Sequence, residues 1–587
     1  MKALLMTKFI FVTGGVISSV GKGVITASLG KLLKDHGIKT TLIKVDPYIN
    51  YDAGTLRPTE HGEVWVTDDG GEIDQDLGTY ERFLNTDIPK QNCLTTGQIY
   101  KSVIDKERSG HYLGKTVQFL PHIPDKIIER IKNAAQNSDA DVAIIEIGGT
   151  IGDYENIPYL FAAKTLERDL GPENVAHVLV TYLPVPKHIK EMKTKPTQQA
   201  IKLLREEGIF PDFIICRSEK CTDEVRKKKI NTSVHIKLEH IISAPDLETV
   251  YEVPLHLQKE KLPEKIIQRL NLQPKKELQL FNWKTLVNNI KKPSKQVNIA
   301  IVGKYLALGD YDIQDSYLSI YESLIHCGAE LATKINITWL SAQDFEDNKE
   351  KLQTLKTLDG IIVPGGFGTS GVEGKINVIN YARVNKIPYL GLCYGMQLAC
   401  VEFARNVCNM TGAHTTEVNP QTKYPIIDVL PDQKNILNEK NYGGTMRLGG
   451  YHAELQKNTR TLDLYKKTNR LEQDQQLLKN KNVSATTVIE RHRHRYEVNP
   501  AFVQQLENKG LIFSGKHQRS DGTTLMEFIE IKDHPFFIAT QAHPEFKSRL
   551  SNPSPLFYGF TKACLELQNS TTQKKTTIKQ KAAMAQL

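Results

Sequence analysis

The sequence predicts an α/β fold with two domains, each a mostly parallel sheet flanked by helices. In two places an apolar run typical of a buried strand passes through a glycine-containing turn into a helix: residues 9–12 precede one turn and residues 387–390 the other. The chain has 587 residues, too many for a single hydrophobic core. Residues 272–296, with several lysines and two prolines, are expected to link the domains.

The composition is typical of a globular protein, because 40% of the residues are hydrophobic and 24% are charged. No apolar run reaches the roughly 18 residues of a membrane-spanning helix. Residues 1–8 lead straight into a strand and lack the long apolar region of a signal peptide. Eight cysteines without paired spacing favour a reducing compartment. We therefore expect a cytoplasmic protein without a membrane segment.

The net charge of +9 comes largely from lysines in residues 227–229, in the linker and in the tail. Solvated segments explain most of this charge. Neither aromatic residues among the basic ones nor zinc-finger spacing indicates a nucleic-acid-binding protein. Anionic small molecules such as nucleotides are compatible with the charge.

In the first domain, residues 13–23 form a glycine-rich loop between a strand and a helix, a geometry that cradles phosphates. Lys22 is expected to reach the β- and γ-phosphates. Five residues, rather than the usual four, separate Gly15 from Gly21, and Gly23 stands where Ser or Thr normally holds magnesium. Acidic residues elsewhere must then bind the metal. The alternative is a glycine-rich turn without a ligand.

Two acidic residues are candidates for that metal. Glu146 directly follows a strand over 142–145, and ligands collect at the carboxyl ends of parallel strands. Asp76 ends a glycine-rich, acidic stretch that begins at Asp52. A solvated Asp76 and a buried, paired Glu146 are the alternatives.

Further along, two lysines in the Thr/Pro-containing segment 193–198 suit a second polyanion, although a solvated loop would look the same.

The second domain contains a candidate nucleophile. Cys393 lies between Gly391 and Gly395 at a strand-to-helix turn, which is a nucleophile elbow with Cys in place of Ser. The helix N-terminus favours a thiolate. His543 and Glu545 follow another strand and can supply a base and its orienting carboxylate. The alternative is a buried structural cysteine.

Residues 364–368, at the end of a strand, can offer backbone N–H groups as an oxyanion hole. With these features the domain resembles a class I glutamine amidotransferase. That resemblance makes Cys393 the nucleophile, His543 the base and Glu545 its orienter. Ala542 stands where the family usually has an aromatic residue, which is expected to loosen the packing near His543.

Together the segments of both domains resemble the CTP synthase family. The motifs that carry the resemblance are residues 12–16, 21–23, 44–50, 61–64, 76–83, 146–150, 193–198, 364–368, 443–449, 490–497 and 543–545. The resemblance implies that UTP, ATP and glutamine give CTP, ADP, phosphate and glutamate. Ammonia would pass between domains along a closed path, with His61 and Val64 near its mouth.

The resemblance also implies the ligand contacts. Those for ATP are Ser19, Val20, Gly21, Lys22, Gly23, Val24 and Asp76. Those for UTP or inhibitory CTP are Ser18, Asp153, Tyr154, Glu155, Lys193, Thr194, Lys195, Pro196, Thr197, Gln198 and Lys229. Those for glutamine are Gly366, Tyr394, Gly395, Met396, Gln397, Glu417 and Arg495. Mg²⁺ would bind Asp76 and Glu146, and Lys44 would be a further electrostatic partner.

The same resemblance implies the organisation of the protein. Residues 1–271 would form a P-loop synthetase domain, residues 297–567 a glutaminase domain, and residues 568–587 a disordered tail. GTP would activate the enzyme, CTP would inhibit it, and the chain would form a homotetramer, while the formation of filaments is left open. Ser370 lies in a loop where the family carries a basic residue, which leaves the strength of GTP activation open.

Two other functions are considered. An ATP-dependent amidotransferase with the same two modules could act on a carboxylate, but segments 153–155 and 193–198 favour a nucleotide. A non-catalytic paralogue would be expected to lose Lys22, Cys393 or His543, and all three are present. Residues 455–481 have no assigned chemistry and are expected to form an exposed helix. Residues 491–497 alternate like a strand, and a solvated basic edge is the alternative to a ligand role there.

Overall fold

The computed structural model describes residues 7–57, 61–304, 307–308, 311–312, 314–347, 349–366, 368–429, 433 and 444–584. The chain divides into two compact units: Met1–Ala53 with Ile73–Val287, and Gly54–Glu72 with Asn288–Leu587. We call these the N-terminal unit and the C-terminal unit. Phe367 and Gly443, which belong to the sequence motifs, lie outside the described residues.

The strands and helices have the following bounds. The strands are β1 Lys8–Gly14, β2 Thr40–Asp46, β3 Val64–Val66, β4 Glu72–Asp74, β5 Cys93–Thr95, β6 Val142–Ile147, β7 Val175–Tyr182, β8 Phe213–Ser218, β9 Ile241–Pro245, β10 Lys295–Gly303, β11 Ala307–Leu308, β12 Tyr311–Asp312, β13 Thr333–Ser341, β14 Gly360–Val363, β15 Tyr389–Leu392, β16 His414–Thr415, β17 Pro425–Val429, β18 Arg447–Leu455, β19 Thr487–His494, β20 Tyr496–Val498, β21 Ile512–Gln518, β22 Thr524–Glu530 and β23 Phe537–Thr540. The helices are α1 Lys22–Asp35, α2 Asp76–Leu84, α3 Thr96–Arg108, α4 Phe119–Asn137, α5 Ile157–Leu170, α6 Lys195–Glu206, α7 Glu224–Val234, α8 Val253–Lys259, α9 Leu262–Arg269, α10 Phe281–Lys291, α11 Leu318–Leu331, α12 Val372–Val384, α13 Tyr394–Asn406, α14 Arg460–Lys467, α15 Arg470–Leu477, α16 Pro500–Glu507 and α17 Pro555–Met584.

The N-terminal unit is built on a parallel sheet in the order β5-β2-β6-β1-β7-β8-β9. Its strands are Val/Ile/Leu-rich and buried, as expected when helices cover both faces. Val12 of β1 and Lys44 of β2 both pair with Glu146 of β6. The register therefore brings the phosphate loop, Lys44 and Glu146 to the same carboxyl edge.

The C-terminal unit is built on a sheet in the order β13-β10-β14-β15-β23-β22-β21-β18-β19. The first five strands are parallel and the others pair antiparallel. The central strand of the site is β15, which precedes Cys393. Its two neighbours are β14, which precedes residues 364–368, and β23, which precedes His543. The topology thus explains why three distant sequence segments meet.

The predicted α/β fold of two domains, each with a parallel-strand sheet flanked by helices, is confirmed, and in the C-terminal sheet antiparallel strands extend the parallel part. The predicted linker contains helix α10, whose Trp283 is buried and packs against Phe83 and Tyr251. Helix α17 runs into the segment predicted as a tail, and the predicted domain bounds and disordered tail stay predictions. Within the described residues, no helix is both long and apolar enough to cross a membrane.

Two sequence interpretations need correction. Residues 455–481 are helical as expected, but they are not simply exposed, because Leu462 and Tyr465 of α14 are buried. The strand over 491–494 is confirmed, whereas the alternative of a solvated basic edge is wrong: Arg491, His492 and His494 are buried. Arg491 pairs with the partly exposed Asp68, and the buried carboxylates of Glu527 and Glu497 lie beside His492 and His494. Periodicity alone does not reveal such partners.

Candidate active sites

Cys393 sits in a strained turn. Its φ of 50° and ψ of −101° lie in a region that non-glycine residues rarely adopt. Its N–H donates to the Thr540 carbonyl oxygen at 2.7 Å. A Cβ at Gly395 would lie 2.1 Å from the carbonyl oxygen of Val363, and one at Gly391 would lie 2.8 Å from the Cβ of Ala539. The two flanking glycines are therefore required by close packing of the elbow against β14 and β23.

His543 and Glu545 form the other part of this site. Nδ1 of His543 and Oε1 of Glu545 are 2.7 Å apart. Burial disfavours the charged imidazole, but Glu545 and Cys393 more than offset it and raise the pKa of His543 to about 10. The ring of His543 stacks on Phe546, with centroids 5.1 Å apart. We expected Ala542 to loosen the packing near His543. Ala542 is fully buried, and Phe546 supplies an aromatic ring against His543 instead.

The loop after β14 lies beside both groups. We call residues 364–366 the oxyanion loop. A Cβ at Gly365 would lie 3.3 Å from Cε1 of His543 and 3.7 Å from the Cβ of Cys393. Nε2 of His543 is buried and forms no hydrogen bond with the described residues. This nitrogen is therefore available to a thiol or to a reacting group between the ring and the loop.

A cavity of about 310 Å³ opens onto these residues. Of the predicted site residues it is lined by Cys393, His543, Glu545, Gly366 and Arg495. Residues of the stretch 54–72 also line it, namely Gly54, Leu56, Glu63 and Val64. Val64 therefore lines this cavity, whereas His61 is exposed, and their place near the mouth of an ammonia path stays a prediction.

The other predicted glutamine contacts surround the cavity rather than line it. Glu417 accepts a hydrogen bond from the Gly368 N–H at 2.8 Å. The side chain of Gln397 donates to Tyr496 O at 2.8 Å and to Gln541 Oε1 at 3.2 Å. Tyr394, Gly395 and Met396 form the buried first turn of α13. Only their backbone or the ring face of Tyr394 could therefore serve a ligand.

Sequence reasoning missed Arg493 and Lys375 near this cavity. Arg493 lines it, and its guanidinium bonds to Glu72 Oε1 at 2.8 Å and to Gly54 O at 3.3 Å. Lys375 is fully buried beside the oxyanion loop. Arg493 belongs to the alternating basic run, but Lys375 lies in a helix with no motif that would single it out.

The phosphate loop forms a second site in the N-terminal unit. Val16, Ser19 and Gly21 have positive φ, so the chain turns sharply before α1. The Lys22 ammonium donates to the Gly149 carbonyl oxygen at 2.8 Å. Burial lowers the pKa of Lys22, and Glu146 opposes that shift. Of the other predicted loop residues, Ser18 and Ser19 are exposed, while Val20 is buried.

Lys44 is buried at the centre of three carboxylates, of which those of Asp46 and Glu146 are buried and that of Asp76 is partly exposed. It forms ion pairs with Asp76, with Glu146 at 3.2 Å and with Asp46 at 3.7 Å. Tyr80 also donates a hydrogen bond to Glu146. The three carboxylates together raise the pKa of Lys44 against the effect of burial, and burial raises the pKa of Asp46 to about 8.

The two predicted magnesium ligands are brought together beside Gly23. A Cβ there would lie 2.9 Å from Oδ1 of Asp76 and 3.7 Å from Oε2 of Glu146. This explains why glycine stands in the usual Ser/Thr position. Among the described residues no group of three or more His, Cys, Asp or Glu side chains is placed to hold a metal. Two carboxylates still fit Mg²⁺, which commonly takes one or two of them plus substrate phosphates and water.

The predicted nucleotide segment forms a basic surface at the start of α6. Thr194 and Thr197 are buried, whereas Lys195 is exposed. Lys193 is 2.7 Å from Glu191 Oε2, and hydrogen bonding to Lys193, with Lys229 contributing, lowers the pKa of Glu191. This places both lysines near one anionic group.

The remaining members of the predicted UTP/CTP set lie elsewhere on this segment and on the loop after β6. Pro196 occupies the first turn of α6, and the side chain of Gln198 reaches Thr194 Oγ1 at 3.4 Å. Asp153 accepts from the Thr150 N–H at 2.7 Å, and Tyr154 and Glu155 are exposed. These residues are therefore accessible to a ligand.

A cavity that sequence reasoning did not anticipate adjoins the phosphate loop. It measures about 220 Å³ and is lined by Gly21, Val24, Ile25, Arg217, Asp246, Leu247, Thr249, Val250 and Val253. Arg217 and Asp246 form an ion pair at 2.8 Å at its border. An apolar wall with a few polar groups, next to a phosphate loop, suits a nucleotide base.

Comparison with known proteins gives the following matches. The family model described as "CTP synthase N-terminus" matches residues 8–272, and that described as "Glutamine amidotransferase class-I" matches residues 312–563. A CTP synthase of Thermococcus gammatolerans is 50% identical over 561 residues, covering 96% of this chain and 99% of that protein. That of Methanocaldococcus jannaschii is 50% identical, covering 95% and 98%, and that of Caldanaerobacter subterraneus is 48% identical, covering 96% and 99%.

Proposed function

This chain belongs to the CTP synthase family, and from that premise we propose that it aminates UTP to CTP with ATP, using ammonia released from glutamine at Cys393. It is a ligase that forms a C–N bond. The observation that carries the proposal is the meeting of the cysteine elbow, the His543–Glu545 pair and the oxyanion loop at one cavity.

Glutamine hydrolysis begins with attack of the Cys393 thiolate on the glutamine amide carbon. The carbonyl oxygen becomes negative and is stabilised by N–H groups of the oxyanion loop. The pKa of about 10 keeps His543 protonated at neutral pH, so it can give its proton to the departing nitrogen. Ammonia leaves, and water then hydrolyses the thioester to glutamate with His543 as base.

The nucleotide reaction uses the N-terminal unit. The 4-oxygen of uracil is a poor leaving group, and its phosphorylation by ATP makes it a good one. Lys22 and Lys44 stabilise the charge of the transferred phosphoryl group. Mg²⁺ bound by Asp76 and Glu146 would neutralise further phosphate charge. Ammonia then displaces phosphate from C4, which gives CTP.

Several further properties follow from the family and are proposals for this chain. Segments 193–198 and 153–155, with Lys229, bind UTP or inhibitory CTP. The apolar cavity beside Gly21 takes the adenine base. GTP activates glutamine use, and the chain forms a homotetramer. The cytoplasmic location expected from the sequence stays a prediction.

The test compares conversion of UTP to CTP, with ATP and Mg²⁺, from glutamine and from ammonium salt. Native protein should use both nitrogen sources, and Cys393→Ala should use ammonium alone. Cys400→Ala, which alters a fully buried cysteine of the helix that follows Cys393, is the matched control and should use both. If native protein makes no CTP from either source with GTP present, the substrate assignment fails. If Cys393→Ala still uses glutamine, the nucleophile assignment fails.

A further inference from the structure

We propose that Lys375 is a positioning residue for glutamine hydrolysis, which holds the carbonyl groups of the oxyanion loop so that the N–H groups of that loop face the carbonyl oxygen of the reacting amide. The inference rests on the function proposed above, in which Cys393 attacks glutamine. It adds a residue that does not line the cavity.

Lys375 lies in the first turn of α12 and is 0% exposed. Its ammonium nitrogen is 2.9 Å from the carbonyl oxygen of Pro364 and 3.5 Å from that of Gly365. It is also 5.6 Å from the ring centroid of Tyr394. Lysine normally extends its charged end to water, so full burial against two carbonyl groups and a ring face requires a reason.

The geometry of the peptide bond supplies one. In a trans peptide the carbonyl oxygen of one residue and the N–H of the next point in opposite directions. No cis bond occurs in this loop among the described residues. Fixing the carbonyl of Pro364 therefore fixes the N–H of Gly365, and fixing that of Gly365 fixes the N–H of Gly366. Both N–H groups are turned to the side of the loop opposite Lys375.

That opposite side is where the chemistry takes place. Gly365 is the residue whose Cβ would approach both His543 and Cys393, and Gly366 lines the cavity. Glycines give the loop its close approach, but they also leave its backbone free to rotate. A donor from behind the loop removes this freedom, and preorganised N–H groups are what make an oxyanion hole effective.

The hydrogen bonds do not depend on the charge of the lysine. Burial, with Lys304 contributing, lowers the pKa of Lys375 well below 10.5, while Cys393 opposes the shift. An ammonium group and a neutral amine both keep N–H donors for the two carbonyl groups. The proposed role is thus positional, and it predicts effects on carbonyl chemistry rather than on thiol reactivity.

The experiment measures two reactions of the full chain. One is kcat/KM for glutamine hydrolysis, which passes through an oxyanion. The other is alkylation of Cys393 by iodoacetamide, followed by peptide mass mapping, which displaces iodide and forms no oxyanion. Lys375→Met removes the donor, and Lys375→Arg keeps one. Ile376→Val, a neighbouring core residue that is 3% exposed, controls for loosening of α12.

We expect Lys375→Met to lower kcat/KM for glutamine about 100-fold, the size of effect seen when one oxyanion donor is lost. Its alkylation rate should stay within about twofold of native, since the thiol, His543 and Glu545 are unchanged. Lys375→Arg should recover at least about tenfold of the loss, and Ile376→Val should behave as native in both reactions.

Three outcomes overturn the inference. Undiminished hydrolysis by Lys375→Met means that the loop needs no support from the lysine. Equal losses of hydrolysis and alkylation mean that Lys375 acts on the thiol or on the whole fold. If native protein hydrolyses no glutamine, both the proposed function and the inference fail. If native protein is active and either of the first two results is found, the inference alone fails.

Discussion

Replacing Glu545 with Gln removes the charge that orients and ionises His543 while keeping the size of the side chain. The carboxylate oxygen is 2.7 Å from Nδ1 of His543, and its charge is the largest contribution that raises the histidine pKa. The change from the ordinary value of 6.5 to about 10 corresponds to roughly 5 kcal/mol in favour of the protonated imidazole. Without Glu545, burial should dominate and favour the neutral ring.

We expect two changes in glutamine hydrolysis. First, kcat/KM at neutral pH should fall about 1,000-fold, because a neutral, misoriented imidazole cannot protonate the leaving nitrogen. Second, the alkaline limb of the pH profile, expected near the His543 pKa of about 10 in native protein, should move to lower pH. Glutamate release between pH 6 and 10.5 measures both quantities directly.

The same pKa gives a dependence of stability on pH. Folding raises the pKa of His543, so its protonation stabilises the native state fully below pH 6.5, and this contribution is lost as pH rises toward about 10. Native protein should therefore melt at a higher temperature than Glu545→Gln below pH 6.5. The difference should shrink in alkaline solution.

The control is Glu530→Gln, which changes another buried carboxylate of the same unit. Glu530 accepts hydrogen bonds from Thr461 and does not line the cavity. Its glutamine pH profile should match that of native protein, and both variants should keep ammonium-dependent CTP formation. A Glu545→Gln protein with the native rate and the native alkaline limb would refute the role assigned to this carboxylate.

Two predictions concern the N-terminal unit. Gly23→Ser introduces a Cβ that would lie 2.9 Å from Asp76 Oδ1. CTP formation should therefore fall at least about tenfold with either nitrogen source, while glutamine hydrolysis persists. Unchanged ammonium-dependent synthesis would contradict this prediction. Lys44→Met leaves a cluster of largely buried carboxylates without its cation and should cost about 3–5 kcal/mol, measured as a lower urea midpoint. Lys106→Met, which breaks a largely exposed ion pair with Glu129, is its control, and equal effects of the two variants would contradict the assigned role of Lys44.

Local chemistry explains which parts of the sites were predictable. The elbow around Cys393 and the loop before Lys22 each depend on glycines within a few residues, where close packing excludes a Cβ. Such patterns can be read directly from sequence. The placement of Glu146 was also predictable, since parallel strands collect ligands at their carboxyl ends.

Features that depend on tertiary partners were not predictable. Lys375 has no neighbours in sequence that indicate burial, because the carbonyl groups it bonds to belong to the loop eleven and ten residues earlier. Likewise, Arg217 and Asp246 come from different strand ends and form a pair only once β8 and β9 lie side by side. Neither spacing nor composition encodes such pairs.

The stretch 54–72 shows most clearly why sequence segments and structural units differ. Asp68 forms ion pairs with Arg491 and Lys547, which accounts for a buried arginine in a strand that the sequence could place at a solvated edge. Trp65 packs against Phe546, with centroids 5.0 Å apart, and Phe546 in turn stacks on His543. The orientation of the His543 imidazole therefore depends on residues that precede Cys393 by more than 300 positions in the sequence. A triad identified only by its three motifs lacks this support, and the packing of Trp65 explains how His543 stays in place although Ala542 offers no ring.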